Sequence, residues 1–195
     1  NIHYNVEMEL FSAIEPYKLE YLTVDNDHKL YIEQSGNPSG TPVLFLHGGP
    51  GAGTSSIYRR FFDPIKYRII LFDQRGSGKS TPYGSINNNT SQKLIEDIKS
   101  ILDFLDIKKT IIYGGSWGST LALLFSQKHP SYVYSMVLRG IFLCRKSDIM
   151  WFYQHGAHEV FPDYWSEFIS LIPDEERSDI LLAYHKRIHG DDLEL

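Results

Sequence analysis

Gly114-Gly115-Ser116-Trp117-Gly118 places a serine hydroxyl between glycines two positions before and two after it. The run lies directly after the strand-like Ile111-Ile112-Tyr113 and directly before the Leu- and Ala-rich stretch Ser119 to Lys128. A sharp turn from strand to helix forces its central residue into an unusual backbone conformation, so the flanking positions must be small. Such a turn lifts the Ser116 hydroxyl above the end of a sheet, and the following helix points its positive end at charge developing there. The chemistry this predicts is nucleophilic attack on a carbonyl, with Ser116 as nucleophile.

A carbonyl under attack becomes an oxyanion and needs donors. His47-Gly48-Gly49-Pro50-Gly51 follows the apolar run Val43 to Leu46, and its glycines allow a substrate to reach the backbone. This resembles the loop from which α/β-hydrolases take one oxyanion donor, the other being the N–H of the residue after the nucleophile. Gly49 and Trp117 are the predicted pair, and two preorganised donors of this kind contribute about 3 kcal/mol each to transition-state stabilisation. His47 invites a reading as general base. It precedes the nucleophile, whereas this arrangement draws its base from far downstream, so a structural role is expected.

Asp73-Gln74-Arg75-Gly76-Ser77-Gly78-Lys79-Ser80 contains GSGKS. A phosphate-binding loop needs glycine five residues before the second glycine, and that position is Asp73, whose charge opposes phosphate. GxGxxG is not completed either, because Thr81 and Ser56 stand where the last glycine belongs. Asp73 and Arg75 are expected to be structural and to shape the loop beside the site. His3, His28, His129, His155, His158, His185 and His189 form no metal-type cluster with carboxylates. His155 and His158 read as a surface pair, and no metal or cofactor is expected. Asn88 and Asn89 begin glycosylation acceptor sequences, which matter only on a secretory route.

The elements that position these residues follow from the apolar pattern. Val43 to Leu46, Ile69 to Phe72 and Ile111 to Tyr113 are continuously apolar, as strands covered on both faces are, and a fourth run, Tyr134 to Leu138, ends at Arg139-Gly140. Leu94, Ile95, Ile98, Ile101, Leu102 and Leu105 recur at helical spacing over residues 91 to 106. Ser119 to Lys128 reads as a second helix, stopped at His129-Pro130. Strands alternating with helices predict the α/β class with a mostly parallel sheet. Residues 19 to 25 and 28 to 35 predict an N-terminal antiparallel hairpin on its edge. After Gly140 no strand-like run appears, and helices are predicted over 147 to 155, 162 to 171 and 174 to 188. The expected organisation is therefore residues 1–140 as the N-terminal part of a core and 141–195 as a partial helical cap.

Composition excludes several other functions. A net charge of −5 over 195 residues supplies no field for a polyanion, so no nucleic acid partner is expected. No apolar run approaches the roughly 20 residues that span a bilayer, so no membrane role is expected either. Cys144 is the single cysteine, and Asn1 to Tyr4 lack the features of a signal peptide, which favours a reducing, cytoplasmic setting.

Five ordered motifs carry a more specific resemblance: HGGPG at 47 to 51, DQRGSGKS at 73 to 80, GGSWGST at 114 to 120, VLRGIF at 137 to 142 and WFYQHGA at 151 to 157. From about residue 19 onward the chain resembles proline iminopeptidases, serine hydrolases with an α/β-hydrolase core and a helical cap. The resemblance implies removal of N-terminal proline from peptides without a metal, with Ser116 as nucleophile and Gly49 and Trp117 as oxyanion donors. It also implies that Phe142, Trp151 and Phe152 line a proline pocket.

The departure lies downstream of Ser116. In this fold the acid and histidine follow the nucleophile in the order Ser, Asp, His, and in the resembled family both lie on loops beyond the cap, while the family's cap glutamates, which bind the substrate amine, fall in a segment not found among these residues. Asp148 with His155, His158, His185 or His189 satisfies the order, but all fall in the predicted cap. The expectation is an N-terminal portion in which the C-terminal part of the core and the triad Asp and His are absent, so that the isolated chain turns over little or no substrate. An esterase or broader aminopeptidase on the same fold, or a binding module without catalysis, are the alternatives.

Overall fold

A computed structural model describes residues 9–190 of the chain. Asn1 to Tyr4, His3 among them, lie outside the described residues. The chain divides into two compact units, one running to Phe142 and one beginning at Leu143.

The first unit is built on six strands: β1 (Lys18–Thr23), β2 (Lys29–Gly36), β3 (Thr41–Leu46), β4 (Tyr67–Phe72), β5 (Thr110–Gly115) and β6 (Val133–Arg139). They lie in the order β1-β2-β4-β3-β5-β6. β4, β3, β5 and β6 run parallel, while β2 pairs antiparallel with both β1 and β4. The hairpin strands are separated by a turn that Asp25 organises, its Oδ1 accepting the backbone N–H groups of Asp27 at 2.9 Å and His28 at 2.8 Å.

Alternate residues of the central strands face opposite layers, which explains their unbroken apolar sequence. Leu44, Leu46, Ile70 and Phe72 pack with the apolar stripe of α1 (Ser91–Phe104) and with Leu121, Ala122 and Phe125 of α2 (Trp117–Lys128). Val43, Phe45, Ile69 and Leu71 turn the other way, toward Tyr58, Phe61 and Phe62 of the 3-10 segment Ser56–Phe61 and the residue after it. Ile98, Ile101 and Leu102 are fully buried, and each side chain of this size contributes about 1.5–3 kcal/mol when taken from water. The Thr90 hydroxyl caps α1 by accepting from the Lys93 N–H at 3.3 Å.

Two hydrogen bonds keep Phe142 with the first unit, so the division falls two residues beyond the expected boundary. Its N–H donates to Ser119 Oγ at 3.1 Å and its carbonyl accepts from Thr120 Oγ1 at 2.6 Å.

The second unit, as far as it is described, is helical: α3 (Lys146–Tyr153), α4 (Ala157–Val160), α5 (Pro162–Ser170) and α6 (Ile180–His189). The helix predicted over 174 to 188 is two elements, a 3-10 segment Asp174–Asp179 followed by α6. Asp179 is the reason: its Oδ1 accepts from the Leu182 N–H at 3.0 Å and starts a new helix. The unit has its own small core of Ile172, Ile180 and Ala183, with Trp165, Phe168, Ile169 and Tyr184 packed around it. Among the described residues, no helix is long and apolar enough to cross a membrane.

Candidate active site

Ser116 stands at the junction of β5 and α2 with φ 54° and ψ −121°. A side chain rarely adopts this conformation, and holding it costs on the order of 1–3 kcal/mol. The surroundings fix it in place. The Ser116 N–H donates to the Arg139 carbonyl at 2.9 Å, and the Ser116 carbonyl accepts from Ser119 N–H at 2.8 Å and Ser119 Oγ at 2.6 Å. A Cβ on Gly114 would lie 2.4 Å from the Gly118 carbonyl oxygen, and one on Gly118 only 2.1 Å from the Leu46 carbonyl oxygen. The two glycines thus let the first turn of α2 press against the ends of β5 and β3. The Ser116 side chain is exposed, and its hydroxyl has no hydrogen-bond partner among the described residues.

The loop after β3 lies beside this hydroxyl. A Cβ on Gly48 would come within 3.4 Å of Ser116 Cβ and 3.9 Å of Ser116 Oγ. Gly49 has φ +114°, where a Cβ would meet the Gly51 nitrogen at 2.5 Å, so only glycine fits. Among the described residues, the backbone N–H groups of Gly49 and Trp117 make no hydrogen bond.

His47 is buried beneath that loop. Its Nε2 accepts the Gln74 backbone N–H at 3.0 Å, so the proton must be on Nδ1, which donates to the Gly48 carbonyl at 2.9 Å. Burial holds the ring below its ordinary pKa, against the opposing pull of the Gly48 carbonyl and the Asp73 carboxylate. Both ring nitrogens are committed to the backbone, which leaves His47 a structural residue.

Asp73 and Arg75 also support the loops, through separate partners. Asp73 Oδ1 accepts from Thr54 N–H at 2.6 Å and Thr54 Oγ1 at 2.8 Å, and Oδ2 accepts from Lys79 N–H at 2.7 Å. Gly78 makes room for this carboxylate, since a Cβ there would lie 2.2 Å from Asp73 Oδ2. The GSGKS sequence therefore wraps an anionic side chain of its own. Arg75 grips Asp97 through two hydrogen bonds and also pairs with Asp25.

Comparison with known proteins bears on this geometry. A family model described as alpha/beta hydrolase fold matches residues 41–170. The chain belongs to the α/β-hydrolase family. It is 56% identical over 187 residues to a proline iminopeptidase of Arabidopsis thaliana, covering 95% of this chain and 49% of that relative. It is 51% identical to a probable proline iminopeptidase of Leptolyngbya boryana, covering 96% of this chain and 58% of the relative. The chain thus spans about half the length of these curated relatives. Among solved structures, a proline iminopeptidase-related protein of Thermus thermophilus matches with a TM-score of 0.54 at 28% identity, over 62% of this chain and 43% of that one. A Vigna radiata epoxide hydrolase mutant matches with a TM-score of 0.58 over 85% of this chain and 55% of its own, at an identity of 22% that speaks for the fold alone.

In this α/β-hydrolase the aromatic residues singled out by sequence are divided between the units. Phe142 is half-buried at the end of the first. Trp151 and Phe152 lie together on α3, ring centroids 5.4 Å apart, and are 42% and 51% exposed. Phe152 also borders a cavity of about 360 Å³ within the second unit, walled by Tyr153, Phe161, Tyr164, Trp165 and Phe168. Sequence reasoning missed this wall, although the spacing of Phe161, Tyr164, Trp165 and Phe168 along one helical stretch was its available signal.

Of the alternative acid and histidines, Asp148, His155 and His158 have local partners, and the His185 and His189 ring centroids lie 4.5 Å apart on α6. Asp148 closes the N-terminus of α3 by accepting from the Arg145 N–H at 3.2 Å and pairing with its guanidinium at 2.8 Å. His158 Nδ1 accepts from Gly156 N–H at 3.0 Å, and His155 Nδ1 lies 3.2 Å from the Met150 carbonyl. Among the described residues, no group of three or more His, Cys, Asp or Glu could hold a metal.

Proposed function

We propose that Ser116 is the nucleophile of a serine hydrolase that releases N-terminal proline from peptides. The observation that carries the reading is an exposed, unpartnered serine hydroxyl on a strained strand-to-helix turn beside the uncommitted N–H groups of Gly49 and Trp117. Likeness to proline iminopeptidases over nearly the whole chain supports the substrate class. Ser116 Oγ attacks the prolyl carbonyl carbon, and Gly49 and Trp117 receive the oxyanion. The base takes the Ser116 hydroxyl proton and returns it to the peptide amine, which leaves as the intermediate collapses to a prolyl ester on Ser116 that water then hydrolyses. The resemblance to proline iminopeptidases is the ground for assigning Phe142, Trp151 and Phe152 to the pyrrolidine ring.

Serine at its free pKa is a weak nucleophile and needs a base; the resemblance to proline iminopeptidases assigns that base and its orienting acid to loops beyond the cap. This chemistry needs no cofactor. The net negative charge and the single cysteine support a cytoplasmic enzyme without nucleic acid or membrane partners.

The test compares release of arylamine from prolyl and alanyl arylamides, and of phenol from a simple ester, by the native protein and its Ser116→Ala variant. Prolyl preference that disappears with Ser116 is the expected result. Faster turnover of the ester or the alanyl substrate would replace the reading with an esterase or a broader aminopeptidase. The 195-residue chain alone is expected to show little or no turnover, and rapid Ser116-dependent release by it would overturn the assignment of the base.

A further inference from the structure

We propose that Gln74 is a positioning residue that sets the spacing between the two halves of the oxyanion hole. Its side-chain amide links the two elements that supply the donors. Gln74 Nε2 donates to the His47 carbonyl, at the start of the Gly48-Gly49 loop, at 2.9 Å, and Gln74 Oε1 accepts from Trp117 Nε1 at 3.1 Å. The backbone adds a third link, since the Gln74 N–H donates to His47 Nε2.

The amide orientation is fixed by its partners. An indole N–H only donates and a carbonyl only accepts, so the oxygen must face Trp117 and the nitrogen must face His47. At 2% exposure, Gln74 is shielded from water that could substitute for either bond. A carboxylate here would keep the indole contact but oppose the His47 carbonyl, and an apolar side chain would leave both groups unpaired.

The link complements a second constraint. Gly118 fixes the approach of α2 to the end of β3 through backbone contact with Leu46. That contact restrains the base of the elbow, while Gln74 spans from the loop to the side chain of Trp117, whose own N–H is one of the donors. Ser77 completes the support: its hydroxyl donates to the Gln74 carbonyl at 2.7 Å. Donors that must meet an oxyanion within a few tenths of an ångström are sensitive to such a support, and a misplacement of about 1 Å costs on the order of 100-fold in rate.

The kinetic part of the test rests on the proposed acyl transfer; the structural part does not. In the native protein acting on a prolyl arylamide, Gln74→Leu and Gln74→Glu are expected to lower kcat by about 10- to 100-fold with KM changed less than about 2-fold, because oxyanion contacts strengthen only in the transition state. Trp117→Phe, which removes the indole N–H along with one ring of the side chain, tests the same link from the other side should the Gln74 variants fold poorly, and a fall of at least several-fold in kcat at constant KM is expected. In parallel, amide NMR of the protein is expected to show shifts at Gly48, Gly49 and Trp117 in Gln74→Leu, with the core amides of Ile98 and Ile101 unmoved. Unchanged kcat in Gln74→Leu, or unchanged Gly49 and Trp117 amides, overturns the proposal. If the wild-type protein hydrolyses none of the substrates, the functional reading fails, and the amide shifts alone decide the role of Gln74.

Discussion

Arg75 holds both oxygens of Asp97, Nε to Oδ2 at 2.6 Å and Nη2 to Oδ1 at 2.7 Å, with each side chain only 2% exposed. Burial pushes the Asp97 carboxyl above its ordinary pKa, and the guanidinium works against that rise. The same guanidinium pairs with Asp25 in the hairpin turn, so one side chain ties the turn, the loop after β4 and α1 together. Removing one partner leaves a buried charge uncompensated. Arg75→Met or Asp97→Ala is therefore expected to cost about 3–5 kcal/mol in urea unfolding, whereas Arg75→Met/Asp97→Leu together should recover much of that loss. Equal losses in the single and double variants would show that the pair matters only as packing.

Gly118 and Gly84 separate two reasons for having glycine. Gly118→Ala would place a methyl group 2.1 Å from the Leu46 carbonyl oxygen, a backbone atom that cannot move without shifting β3. A loss of about 1–3 kcal/mol is expected, with reduced labelling of Ser116 by a serine-reactive phosphonate in the active protein. Gly84 has φ +72° with nothing within 4 Å of the place a methyl group would take, so Gly84→Ala should cost only the backbone conformation, about 1–2 kcal/mol, and leave labelling unchanged. Labelling that responds equally to both would contradict the assignment of Gly118 to the elbow.

How far the sequence disclosed this structure depends on whether a feature is local. Val43 to Leu46 and Ile69 to Phe72 were legible as buried strands because both of their faces meet an apolar layer. The elbow was legible because Gly114 and Gly118 act on neighbours within the same turn. Gln74 was not, since its side-chain partners His47 and Trp117 are 27 and 43 residues away. The split of the last predicted helix was only partly legible: its local cap, Asp179, is in the sequence, but the Ile180 N–H also donates to Gln154 Oε1 at 2.9 Å, a contact set by tertiary packing rather than by helical period.

His47 makes stability depend on pH in a predictable direction. In the unfolded chain the ring titrates near its ordinary value of 6.5, while in the folded state burial lowers it. As pH falls through that value, the unfolded state takes up the proton first, so stability is lost from about 6.5 down to the folded pKa and changes little below it. Protonation also places a hydrogen on Nε2, facing the Gln74 N–H and the Ser77 hydroxyl that lie on it. Burial lowers His129 in the same sense, so a His129→Gln background isolates the effect. Urea unfolding between pH 7.5 and 5 should show the loss in that background and a smaller one when His47→Gln is added; identical slopes would remove His47 as its source.

Ser116 carries a conformational cost that the proposed nucleophilic role would explain. Its φ of 54° with ψ −121° lies in a region that only glycine enters freely, and its hydroxyl forms no bond among the described residues that could repay the strain. Ser116→Ala retains the Cβ and therefore the strain, while Ser116→Gly removes both the hydroxyl and the steric conflict. The relief, on the order of 1–3 kcal/mol, is partly offset by roughly 0.5–1 kcal/mol of extra freedom that glycine gives the unfolded chain. Ser116→Gly should accordingly be more stable than Ser116→Ala by about 1 kcal/mol in urea unfolding, with neither reacting with a serine-directed phosphonate. Equal stability of the two variants would mean that the strain is no larger than the roughly 0.5–1 kcal/mol that glycine's extra freedom offsets, below the range expected of this turn.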